Sequence, residues 1–100
     1  MITSITLFPK SVDLDEMEEF LSGVMIPSLK KAPGFLAVKA SDGHLMSPAG
    51  PPDYAKVVEF SFDTLENFYA WTQSSEEQQE VKNRMIKDGV AMIFYEEVSL

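Results

Sequence analysis

By its ordinary pKa only one side chain of this protein changes charge near neutrality: His44, the single histidine among 100 residues. It follows Asp42-Gly43 and precedes a proline-rich stretch, so the chemistry it offers is proton transfer at the rim of a site. A solvated loop histidine is the commoner role for such a residue. Glu59 is the second candidate for moving a proton. Between Val58 and Phe60, it is aimed at water, paired with Lys39 or Lys56 across the strands, or held in a pocket where desolvation favours its protonated form. Pairing is the simpler reading, and catalysis needs the pocket.

Tyr54, Tyr69, Trp71 and Tyr95 have apolar faces with polar tips, the composition of many small-molecule pockets, although aromatic residues at helical or strand spacing usually belong to a core. Met25, Met46, Met85 and Met92 are adaptable pocket wall or plain filling. One histidine with Asp42 and Asp53 is a poor metal-binding set, so no metal is expected. The five glycines are scattered, which excludes a phosphate-cradling loop or a dinucleotide fingerprint, and one histidine cannot serve every scheme that needs one.

These side chains need a scaffold, and the chain is long enough for one domain over residues 1–100. Ile2 to Phe8 reads as a strand stopped by Pro9. Asp13 stands three before Glu16 as a helix cap, and Met17, Phe20, Leu21 and Val24 line one helical face from about Leu14. Pro27 must kink that helix and Pro33-Gly34 stops it. Phe35 to Ala40 and Tyr54 to Phe62 read as strands around a loop at Ser47 to Asp53 that holds three prolines and a glycine. Asp63 and Glu66 repeat the capping spacing for a second helix, broken near Ser74, recapped at Ser75 and stopped by Gly89. Val90 to Tyr95 is a last strand.

The order β-α-β-β-α-β specifies an α+β, ferredoxin-like domain: a four-stranded antiparallel sheet with two helices on one face. The uncovered face should be polar, yet both parities are apolar, Val57 against Val58 and Phe60, and Ile93 and Tyr95 against Met92 and Phe94. A second copy is the cheapest cover, so a homodimer through the open sheet face is expected.

Eight Lys and Arg against sixteen Asp and Glu give a net charge of −8, which argues against nucleic acid and anionic membrane as partners. The absence of cysteine excludes disulfides and thiolate chemistry. With no leader pattern and no long apolar run, the expected location is cytoplasmic.

In order and spacing, several segments resemble the EthD-like branch of the dimeric α+β barrel superfamily. They are Leu7-Phe8-Pro9-Lys10, Ile26-Pro27-Ser28-Leu29, Lys31-Ala32-Pro33-Gly34, Tyr54, Val57 through Asp63, Leu65-Glu66 and Ser74-Ser75-Glu76. The resemblance implies two sheets joined as a barrel across a dimer, and activities ranging from ether degradation and aromatic polyketide processing to cofactor-free monooxygenation and isomerisation. It also implies a His-X-Pro at the helix kink, where this chain reads Met25-Ile26-Pro27. A thioether can neither donate nor transfer a proton. By the same resemblance Met25 should line the ligand space with Tyr54 or Trp71. Two functions follow. The first is a binding protein for an apolar or aromatic metabolite. The alternative is a cofactor-independent monooxygenase, isomerase or cyclase acting on a small aromatic or ether-related substrate, with Glu59 or His44 moving a proton and Tyr54 and Trp71 packing the substrate.

Overall fold

A computed structural model describes residues 1–43 and 45–100, apart from the side chains at 77, 78 and 81. His44 lies outside the described residues. The elements run β1 (Ile2–Pro9), α1 (Leu14–Phe20), a π-helical turn (Leu21–Met25), α2 (Ile26–Lys31), β2 (Phe35–Ala40), β3 (Tyr54–Phe62), α3 (Leu65–Thr72), α4 (Glu76–Lys87) and β4 (Ala91–Glu96). Among the described residues no helix is long and apolar enough to cross a membrane.

Asp13 caps α1 as its spacing requires, its Oδ1 accepting from the backbone N–H groups of Asp15 and Glu16 at 3.0 and 3.1 Å. The helix departs from expectation before Pro27 rather than at it. A proline ring collides with the carbonyl four residues back, here that of Gly23, and the backbone meets this by widening into a π turn in which the Ile26 N–H reaches the Leu21 carbonyl. The wider turn still delivers Leu21, Met25 and Leu29 to the core.

Gly34 turns the chain into β2 at φ +82°, and its carbonyl accepts from the Asp63 N–H at 2.9 Å. A Cβ there would run into the side chains of Asp63 and Asn67, so the approach requires glycine. The cap of α3 is Thr64, not Asp63: the Thr64 Oγ1 accepts from the Asn67 N–H at 3.2 Å. The Asp63 carboxylate accepts instead from the Asn67 side-chain amide at 2.8 Å. At the end of α4, Gly89 at φ +96° completes a Schellman turn, with Gly89 N–H to the Ile86 carbonyl and Val90 N–H to that of Met85. Met85 and Val90, both buried, supply its apolar contact.

The strand order is β2-β3-β1-β4 with every neighbouring pair antiparallel, so each half's two strands are separated by one from the other half. This is the ferredoxin-like arrangement. Pro9 belongs to β1 as its last residue, pairing with Tyr54 after a register shift. Ile2, Ser4, Thr6 and Phe8 of β1, and Val58, Phe60 and Phe62 of β3, are buried on the helix side. Phe8, Phe62 and Leu29 are sealed completely, each contributing about 1.5–3 kcal/mol on burial. On the opposite side Ile5, Leu7 and Val57 are half-buried, while Ile93 and Tyr95 are 58% and 49% exposed.

Candidate functional site

The strand period leaves a gap beneath the helices. Large side chains at Ile2 and Phe8 close the ends of β1, but the small Ser4 and Thr6 occupy its inward middle positions. The space above them is a cavity of about 230 Å3 between the sheet and the helices. Phe60 from β3, Met92 and Phe94 from β4, Met25 from the π turn, Phe68, Tyr69 and Trp71 from α3, and Lys82 and Met85 from α4 line it. Its wall is held by ring contacts: Phe60 meets Trp71 edge-on at 4.9 Å, and Phe68 packs on Phe94 at 4.8 Å between centroids.

Pro27 and the π turn shape this wall. The Ser28 hydroxyl donates to the Met25 carbonyl at 2.8 Å and accepts from the Trp71 indole N–H at 3.1 Å. That relay ties the π turn and α2 to α3 and leaves the indole as a flat, apolar surface toward the cavity. Met25 is 5% exposed and presents a flexible thioether beside it.

Five of the sequence-derived candidates, Met25, Tyr69, Trp71, Met85 and Met92, meet at this cavity. Tyr54 does not join them. It lines a separate, wider groove with Leu14, Glu18, Pro51 and Pro52, between the outer side of α1 and the proline-rich loop. Glu59 lies on the open face of the sheet, opposite Ile5, where its carboxylate pairs with the Lys39 ammonium at 3.2 Å. Such an exposed pair contributes little stability. Its position leaves it on the far side of the sheet from the cavity. Among the described residues no group of three or more metal-ligating side chains converges.

Ser4, Thr6, Thr72 and Lys82 also line the cavity, and reading the residues by type did not single them out. One signal for the first two was available: their hydroxyls share a parity with Ile2 and Phe8 in Ile-Thr-Ser-Ile-Thr-Leu-Phe-Pro. Lys82 carried no such signal, because the helix around it is predominantly polar.

No protein-family model and no curated protein matches the sequence. Solved structures do match. An ethyl tert-butyl ether D (EthD) family protein from Bacillus halodurans is 20% identical, with a TM-score of 0.71 over 98% of this chain and 99% of that one. A dimeric ferredoxin-like protein of unknown function from Jannaschia is 10% identical, with a TM-score of 0.76 over 96% of this chain and 98% of its own. SnoaB, a cofactor-independent oxygenase from Streptomyces nogalater, is 11% identical, with a TM-score of 0.70 over 99% and 94%. At these identities the likeness establishes architecture, not activity. The chain has the ferredoxin-like fold found in an EthD family protein and in dimeric relatives of that architecture.

Proposed function

We propose that this protein is an EthD-like binding protein for a small apolar or aromatic compound, acting as a homodimer. The observation that carries the reading is the cavity of about 230 Å3 between sheet and helices, lined mainly by aromatic rings and methionines. A dry apolar cavity of about 150 Å3 admits benzene, so this one has room for about nine heavy atoms: one ring with a short substituent. Among the described residues its wall carries no carboxylate and no imidazole, and Met25 replaces the histidine of the EthD-like pattern. Both points favour binding over proton transfer.

The dimer is supported by the apolar open face around Ile5, Leu7, Val57, Ile93 and Tyr95, a surface unusual for a sheet facing water. The Jannaschia protein is described as dimeric. A second copy laid on this face would complete the barrel while leaving the cavity, on the helix side, in each protomer.

Trp71 is the single tryptophan and lines the cavity, so its emission reports occupancy. Titration with toluene should give a saturable change in emission, and native mass spectrometry should show a small molecule retained at twice the chain mass. No saturable response to toluene, together with no retained molecule, would overturn the binding reading.

A further inference from the structure

The cavity floor carries two hydroxyls whose presence packing does not explain. Ser4 and Thr6 are 4% and 2% exposed. Their cross-strand neighbours are Phe60 and Phe94 for Ser4, and Val58 and Met92 for Thr6, none of which offers a side-chain acceptor or donor. Among the described residues neither hydroxyl has a hydrogen-bond partner. No side-chain oxygen or nitrogen sealed inside the described protein is left unpaired, so these two oxygens open onto the cavity itself. Two other polar groups of the wall are already engaged: Trp71 donates to Ser28, and the Thr72 hydroxyl donates to the Tyr69 carbonyl at 2.8 Å. Two buried, uncommitted hydroxyls on an otherwise apolar floor are a polar anchor awaiting a polar atom.

Lys82 supplies the second feature. It is half-buried, and among the described residues it is the one charged side chain of the cavity wall and pairs with no carboxylate. In a protein of net charge −8, a lysine at the cavity wall with no carboxylate partner among the described residues favours an anionic group on the occupant.

We propose that the occupant is a single-ring compound with a hydroxyl or carbonyl oxygen bound by Ser4 and Thr6, and an anionic group, such as a carboxylate, paired with Lys82. The inference rests on the binding reading above and narrows it to a chemical class. An oxygen, a ring between the aromatic walls and an acid group together come to about the nine heavy atoms that the volume admits.

Three probes of nested chemistry test it through Trp71 emission: toluene, p-cresol and 4-hydroxybenzoate. In the unaltered protein p-cresol should bind about five- to tenfold more tightly than toluene, the worth of one good hydrogen bond. At low ionic strength 4-hydroxybenzoate should gain a further two- to fivefold or so, declining with added salt. Thr6→Val combined with Ser4→Ala should erase the advantage of p-cresol while leaving toluene bound, and Lys82→Met should erase that of the carboxylate. Circular dichroism checks that each variant is folded, and the comparison of probes in the unaltered protein needs no variant. If toluene binds but p-cresol is no tighter, or if either advantage survives its substitution, the chemical assignment is overturned and the binding reading stands. If no probe binds, toluene included, and native mass spectrometry shows no retained molecule, the binding reading itself fails.

Discussion

Replacing Thr6 by valine should make the ligand-free protein more stable, which is the reverse of what most substitutions at a 2% exposed position do. The hydroxyl has no protein partner among the described residues and reaches only the cavity, where any water must be confined between Phe60, Phe94 and Met92. Confinement of such a water costs up to about 2 kcal/mol, and a hydroxyl left without one loses about 1–3 kcal/mol of hydration. Valine has nearly the same shape, favours a strand at least as well, and adds an apolar methyl to the buried surface. A net gain of about 1 kcal/mol follows, equivalent to a rise in Tm of roughly 4–8 °C for a domain of this size. Urea unfolding followed by circular dichroism, at one protein concentration because the proposed dimer would make stability concentration-dependent, gives the difference directly. A loss of 1 kcal/mol or more would refute the reasoning, since it would mean that the Thr6 hydroxyl makes a favourable internal bond. Coupled with the weaker binding of p-cresol expected of Thr6→Val with Ser4→Ala, a gain in stability would mark the floor of the cavity as a place where folding is sacrificed to recognition.

Met25→His should place an imidazole within the cavity, where burial disfavours its protonation, so it should titrate below the ordinary ~6.5. The unfolded chain then binds the proton more readily, so the variant should lose stability relative to the parent as pH falls below about 6.5, by about 1.4 kcal/mol per unit of depression at the acid limit; a new NMR imidazole signal titrating near ~6.5 with free solvent exchange would place residue 25 in water instead. Gly34→Ala should cost on the order of 1–3 kcal/mol, from the left-handed backbone and the crowding of Asp63 and Asn67, read as a lower urea midpoint. Ile93→Asp should turn the dimer into monomers in sedimentation while toluene still binds, because the charge lies on the open sheet face and the cavity on the other; an unaltered dimer would show that this face is not the interface.

What the sequence determined by itself was local. The Asp13 cap, the breaks at Pro33-Gly34 and Gly89, the strand spans Phe35–Ala40 and Tyr54–Phe62, and the βαββαβ order all depend on side chains within four residues of the backbone groups they satisfy or block. The apolar character of both sheet faces was legible for the same reason, since parity is a local property. Only the tertiary structure decided which parity of β1 faces the helices. Hydropathy alone would turn Ile5 and Leu7 inward, yet Ser4 and Thr6 are the buried pair, because Ile2 and Phe8 anchor the strand ends on the helix side and a strand cannot rotate between them. The same holds for Glu59, whose register opposite Ile5 and Lys39 puts it on the open face, and for the Thr64 cap, which took the place expected of Asp63 once Gly34 and Asn67 had engaged that residue. Lys82 entered the site through the packing of α4 against the sheet. A cavity is bounded by residues distant in sequence, and which of them meet is set by long-range pairing and burial.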